Sequence, residues 1–351
     1  MSDQPGGELF RDGEAVWKTA VMEGDPLFFV REAGHALASA RLLFVPKAVP
    51  RLTKATGDVT YEAGRDFTWQ AGGRDIVLTP QSRIPFRTQV LLPPGSPDSI
   101  AASRDGKKHL LYGEGHFFHD QQVIAAYEAA ESWTGPVPAA DATGLARTLA
   151  RLRAKQPVKV VMLGDSISTG ANASGVVGAP PGQMGYPDLV ADGLRQRFGG
   201  PVTLTNLSVG GMNAPWGVGQ MSAAIAEKPD LFLIAFGMND ASGRCSPAKY
   251  RKDIGRMADK MRAARPDCDV ICVATMTANP DWQFAAPDLY PAYRDQLLTL
   301  RKPGVAGADV TSVWSWMVAR KKFLDLAGNG VNHPNDFGHR LYADVILALL
   351  A

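Results

Sequence analysis

The chain has 351 residues, 45% of them hydrophobic and 21% charged, with 37 basic against 35 acidic side chains and a formal net charge of +2. That length is generous for one core and comfortable for two domains, and the composition is that of an ordinary globular protein. Such a balance, with Arg320-Lys321-Lys322 as the longest basic run, excludes the electrostatic footprint of a nucleic-acid binder or a polybasic membrane anchor.

Along the chain, MSDQPGGELF is polar and lacks the apolar core of a signal peptide. The expected setting is therefore the cytoplasm, or a secreted location reached with a signal since removed. No later stretch approaches the roughly 20 apolar residues of a membrane helix. Up to about residue 135 short β-type runs alternate with Gly, Pro and Asp turns. In DVTYEAGRDFTWQAGGRDIVLTP, Ala71-Gly72-Gly73 reads as a hairpin loop, and ARLLFVP and RTQVLLP read as further strands. This predicts an all-β domain of sandwich or jelly-roll type over 1–135. TGPVPAADATG and the helical pattern LARTLARLRAKQP then form a linker and lead-in helix over 136–156.

From 157 to 351 apolar runs alternate with amphipathic patterns. VKVVMLG precedes YPDLVADGLRQRF, VTLTNLSVG precedes VGQMSAAIAEK, LFLIAFG precedes PAKYRKDIGRMADKMRAA, and DVICVATM precedes LYPAYRDQLLTLR. Alternation of this kind predicts a parallel sheet covered on both faces, with ligands bound beyond the carboxyl ends of its strands. Cys245, Cys268 and Cys272 are odd in number and lack paired spacing, which excludes a disulfide framework. His116 and His119 in GEGHFFHDQQ, with Glu114 and Asp120 near, have metal-like spacing. Two histidines without a zinc signature fit a domain edge or interdomain contact better, so no metal and no cofactor is expected.

A serine hydroxyl attacks carbonyls only when a base takes its proton and donors stabilise the oxyanion. Four places supply those parts. Ser166 follows the first apolar run in GDS, and its own N–H is one donor. Gly211 in NLSVGGMNA permits close backbone approach. The Asn239 amide follows the third run in FGMND, and NGVNHPNDFGH offers His333 as the base. The Gly-x-Ser-x-Gly elbow is excluded, because Ser168 stands two places after Ser166.

On these four blocks the chain from about residue 157 resembles the SGNH (GDSL-type) hydrolase family. The resemblance implies a flavodoxin-like three-layer α/β/α domain with Ser166 as nucleophile. It further implies an oxyanion hole of Ser166, Gly211 and Asn239, with His333 as base. One position departs: the family usually has an Asp three residues before its histidine, and Gly330 stands there, flanked by the amides Asn329 and Asn332. A backbone carbonyl accepting from His333 Nδ1–H, as in the Ser–His dyads of carbohydrate esterases in this superfamily, is the expected substitute. Asp336 is a possible orienting acid, and Asp325 is the other carboxylate close in sequence. His339 corresponds to a family histidine without a chemical role, and Asp165 and Asp240 are expected to hold loops.

Trp216 is expected beside the pocket, as a sugar-stacking face or as loop packing. Asn172 and Asn213 are candidates to orient a polar substrate, and residues 170–186 form a pocket wall or lid. A β-domain ahead of the catalytic blocks, together with FHDQQVIAAYEAAESWTG, is similar to bacterial carbohydrate acetylesterases. That implies release of O-acetyl groups from a carbohydrate. The alternatives are a lipase, thioesterase or arylesterase on a small ester, and a non-catalytic carbohydrate-binding protein.

Overall fold

Residues 15–351 are described by a computed structural model. The short runs of the N-terminal region become strands β1 (Val21–Leu27), β2 (Ser39–Arg41), β3 (Arg51–Lys54), β4 (Thr60–Tyr61), β5 (Phe67–Trp69), β6 (Asp75–Leu78), β7 (Leu91–Leu92), β8 (Ser99–Ile100), β9 (His109–Leu111) and β10 (Val123–Glu128). They pair antiparallel in three sheets, ordered β1-β10-β3-β4, β2-β6-β5 and β7-β9-β8. The hairpin around Ala71-Gly72-Gly73 joins β5 to β6, and Gly72 takes φ +81°, where a side chain would be strained. No helix or strand occupies 134–144.

Helix α1 (Ala146–Arg153) leads into the strands of the second region: β11 (Val158–Gly164), β12 (Val202–Asn206), β13 (Leu231–Ala235), β14 (Asp269–Ala274) and β15 (Val305–Asp309). All pair parallel, in the order β12-β11-β13-β14-β15. Strands β13 and β14 are buried at every residue, and β11 at all but Lys159. This is why they read as continuous apolar runs: helices cover both faces of the sheet. The helices are α2 (Tyr186–Phe198), α3 (Ala214–Gly219), α4 (Met221–Ala226), α5 (Met238–Ser242), α6 (Pro247–Ala264), α7 (Leu289–Leu298), α8 (Val310–Val318), α9 (Phe323–Leu326) and α10 (Asp336–Ala348). Among them α2 packs on α10, and α6 packs on α3 and α7. The chain is therefore a flavodoxin-like parallel α/β domain preceded by smaller antiparallel sheets. Strand order reverses between β11 and its neighbours β12 and β13, which opens a crevice at their carboxyl ends.

The two regions are tied by buried polar groups. Lys321 Nζ, fully buried, lies 2.6 Å from Asp25 Oδ1 and donates to the Arg41 carbonyl at 2.9 Å. Asp25 Oδ2 in turn accepts from Leu43 N and from the Tyr127 hydroxyl, each at 2.7 Å. The Gln122 amide donates to the carbonyls of Leu324 and Ala327 at 3.0 and 2.9 Å, and its oxygen accepts from Asn335 at 3.0 Å. Gly330 meets the same surface with φ +87°. A Cβ built there would lie 2.4 Å from the Leu111 carbonyl oxygen and 2.7 Å from the Phe118 ring. The place of the usual Asp is thus filled by the N-terminal region.

Removing the cation in Lys321→Ala leaves Asp25 buried without its counter-charge and is expected to cost about 3–5 kcal/mol in urea unfolding. Gly330→Asp is expected to destabilise the fold rather than supply the absent acid. It adds about 1–3 kcal/mol of left-handed backbone strain and about 1–3 kcal/mol of overpacking, read in the same measurement.

Candidate active site

Strand β11 ends at Gly164, where any side chain would strike Ser168 Oγ and the Ala235 carbonyl. The chain then turns at once. Asp165 Oδ1 accepts from Ile167 N at 3.0 Å, its carbonyl accepts from Ser168 N and Thr169 N, and the Thr169 hydroxyl donates to the Ser166 carbonyl at 2.7 Å. Asp165 therefore has the loop-holding place expected of it. Burial, reinforced by the charge of Asp240, pushes its carboxyl up to about 7. The turn leaves Ser166 half-buried at the edge of the sheet while Ile167 and Ser168 point into the core.

The loop after β12 lies against this turn. Leu207 N and Val209 N donate to the carbonyls of Met162 and Gly164, and Asn206 Nδ2 donates to the Ser168 carbonyl at 2.7 Å. Gly210 comes so close that a Cβ on it would be 3.7 Å from that of Ser166, and Gly211 next to it is exposed with φ +77°. Asn239 opens α5 after β13. Its Nδ2 donates one hydrogen to the Met212 carbonyl at 2.8 Å, which leaves the second for another acceptor. Asp240, pushed up to about 6 by burial, accepts from Ala214 N with both oxygens at 3.2 Å and fixes the start of α3.

His333 arrives from the opposite end of the chain, on an irregular loop before α10. Its Nε2 lies 2.9 Å from Ser166 Oγ. Asn329 Oδ1 shapes the loop by accepting from Val331 N and Asn332 N at 3.0 Å and from His333 N at 3.1 Å. Asn279 holds it from the far side, with Nδ2 donating to the Gly330 carbonyl at 2.8 Å and its backbone N–H to that of Val331. Burial lowers His333 to about 4; the charge of Glu114 pulls upward and His339 pulls downward. An imidazole on a serine hydroxyl, oriented through its other nitrogen, is the arrangement that turns serine into a nucleophile.

The partner of that other nitrogen differs from the expected one. Among the described residues no backbone carbonyl takes His333 Nδ1. Asn172 Oδ1 lies 2.7 Å from it, and Asn329 Nδ2 lies 3.0 Å away. Asp336 does not orient the histidine. It begins α10, and its Oδ1 accepts from Ser174 N at 2.8 Å. Asp325 faces the N-terminal region and accepts from Phe28 N. Asn172, expected to bind substrate, is buried and touches the imidazole instead. Asn213 caps α3, accepting from Trp216 N at 3.2 Å, and half-buried Trp216 lays its ring edge-on to Phe236.

His339 is buried beneath the site, its Nε2 3.1 Å from the Ala171 carbonyl. His116 pairs with Asp120, whereas His119 bonds the Pro180 carbonyl across the two regions. Among the described residues no three His, Cys, Asp or Glu side chains converge as metal ligands would. Within residues 170–186, Gly175 N donates to the Gln183 carbonyl and Gln183 Nε2 to that of Asp336. A separate cavity of about 500 Å³, lined in part by Leu110, Leu111, Pro291, Val318 and Phe323, includes none of Ser166, Gly211, Asn239 or His333.

Several solved structures are similar to this chain at low identity. A two-domain esterase (CEX) active on acetylated mannans, co-crystallised with mannopentaose, is 20% identical with a TM-score of 0.48, over 62% of this chain and 55% of its own. The match thus spans just over half of that esterase. A variant of Axe2, an acetyl-xylooligosaccharide esterase from Geobacillus Stearmophilus, is 17% identical with a TM-score of 0.44, over 55% of this chain and 94% of its own. The lipase Lip_vut3 from a goat rumen metagenome is 14% identical with a TM-score of 0.46, over 55% and 97%. Comparison with curated proteins found no match. The family model of the GDSL-like lipases and acylhydrolases matches residues 162–341, from the middle of β11 into α10, and this chain belongs to that family of ester hydrolases.

Proposed function

We propose that this protein is a serine esterase that removes O-acetyl groups from a carbohydrate through an acyl-enzyme. The observation that carries the hydrolytic reading is the 2.9 Å contact between His333 Nε2 and Ser166 Oγ at the open end of the sheet. In this reading His333 takes the Ser166 proton as Oγ attacks the ester carbonyl. The oxyanion accepts hydrogen bonds from the N–H groups of Ser166 and Gly211 and from the free hydrogen of Asn239 Nδ2. Collapse expels the sugar alkoxide, protonated by His333. Water, deprotonated by the same imidazole, then releases acetate and regenerates the serine. No cofactor takes part in these steps.

The acyl and sugar assignments rest on the surroundings of the serine. Exposed Glu114 of the N-terminal region stands close enough for its charge to act on His333, and it bonds the Tyr112 hydroxyl. A carboxylate at the mouth is costly to desolvate against a fatty chain, whereas it accepts readily from sugar hydroxyls. Exposed Gly210, Gly211 and Asn213 in the loop beside Ser166 suit the same kind of substrate.

Ser166→Ala and His333→Ala are each expected to lower kcat by about 10⁶, to the background that binding and oxyanion donors leave. Acetate release from p-nitrophenyl acetate and from acetylated xylan measures both the loss and the substrate class. Release from the aryl ester alone would keep the hydrolase and overturn the carbohydrate assignment. Asn239→Ala is expected to cost about 10²–10³ in kcat, and an unchanged rate would remove it from the oxyanion hole. The base must be neutral to accept a proton, and burial lowers His333 to about 4. A plot of kcat/KM against pH should therefore hold its plateau well below pH 6 and fall with a midpoint near 4, whereas an unperturbed histidine would place that fall near 6.5.

A further inference from the structure

The surroundings of His333 Nδ1 contain a conflict that one residue resolves. Asn172 Oδ1, 2.7 Å away, can only accept, whereas Asn329 Nδ2, 3.0 Å away, can only donate. The first favours the tautomer with hydrogen on Nδ1, which leaves the Nε2 lone pair free for the Ser166 proton. The second favours the opposite tautomer, in which Nε2 carries hydrogen and cannot serve as a base. Neither amide is free to flip. Asn172 Nδ2 donates to the Gly115 carbonyl at 3.0 Å, and a carbonyl oxygen only accepts, so Oδ1 must face the imidazole. Asn329 Oδ1 is committed to three backbone N–H groups.

Burial decides between them. With hydrogen on Nδ1 every group has a partner, since Asn329 Nδ2 also donates to Asn332 Oδ1 at 3.1 Å. With hydrogen on Nε2, Asn172 Oδ1 would lose its acceptor role inside a buried residue, where an unmet polar atom is costly. The backbone is built around this side chain. Asn172 has φ +64°, a conformation that Asn adopts more readily than most residues, and a Cβ on Gly328 would lie 2.5 Å from its Cβ.

We propose that Asn172 is the positioning residue that selects the reactive tautomer of His333, and that the N-terminal region fixes Asn172 through the Gly115 carbonyl. This deepens the serine-esterase reading and rests on it. Ser166, His333 and Asn172 then form a triad whose third member is an amide from the nucleophile's own loop, which orients the imidazole without taking a proton. The amide is held by a carbonyl 57 residues upstream.

The test compares Asn172→Ala, Asn172→Asp and Ser166→Ala on p-nitrophenyl acetate across pH, with thermal unfolding as the check on folding. Asn172→Ala leaves Asn329 unopposed. Its kcat is expected to fall by 10²-fold or more, toward the order of 10⁴ that a wrong tautomer costs in the Ser–His–Asp triad, with KM nearly unchanged. Asn172→Asp keeps an acceptor on Nδ1 and adds a second negative charge to that of Glu114, against the downward pull of His339. It is expected to recover much of kcat and to move the acid limb up by about a unit or more.

Equal losses in both variants with the acid limb unmoved, or no loss in either, would overturn the proposal. Full activity in Ser166→Ala would instead remove the esterase reading itself. The imidazole nitrogen-15 shifts of His333 in the unaltered protein give a readout free of activity and of variant folding. Hydrogen on Nδ1 is expected at pH 7, and hydrogen on Nε2 would overturn the assignment.

Discussion

The site depends on a loop of nine residues, 327–335, that has no regular structure of its own yet must hold His333 within hydrogen-bond reach of a serine 167 residues earlier. Such a loop cannot rely on a ladder: beyond a few backbone bonds, such as Gly328 N to the His333 carbonyl and Asn279 N to that of Val331, its constraints come from side chains. Asn329 closes it from within, Asn279 binds it from the β14 side, and Gln122 and Asn335 clamp its ends to the N-terminal region. All four are amides. An amide donates and accepts at once without carrying charge, so it can bind irregular backbone in a buried place at modest desolvation cost.

The parallel sheet supplies the other half of the constraint. Because strand order reverses around β11, the loops following β11, β12 and β13 meet at one crevice without long excursions. The turn with Ser166, the glycines at 210 and 211, and Asn239 are each within a few residues of a strand end and are bonded to it or to one another. Chemistry is placed on short loops from rigid elements, and only the histidine requires a long-range clamp.

Much of this is legible in the sequence. VKVVMLG coincides with β11, YPDLVADGLRQRF with α2, and PAKYRKDIGRMADKMRAA with α6, because strands buried on both faces and amphipathic helices leave strong periodic signals. Strand β15 leaves no such signal. VAGAD is short and made mostly of small residues, and Gly307 is small because Leu298 of α7 packs onto it. Strands of two or three residues such as β4, β7 and β8 are too brief for any periodicity. At the site, Ser166, Gly211, Asn239 and His333 could be singled out from local blocks, whereas the contact to Asn172 spans 161 residues and leaves no pattern. Nearness in sequence pointed to Asp336 instead. It opens α10 and turns to Ser174, away from the imidazole.

The burial of Lys321 against Asp25 also bears on motion. An ammonium in full contact with its partners loses attraction as soon as the two regions part by an ångström or so, yet a gap that thin admits no water to replace them. Partial opening is therefore the least favourable arrangement, worse than either the closed state or complete separation. A hinge between the regions would have to pass through that state. The interface should behave as a latch rather than as a hinge.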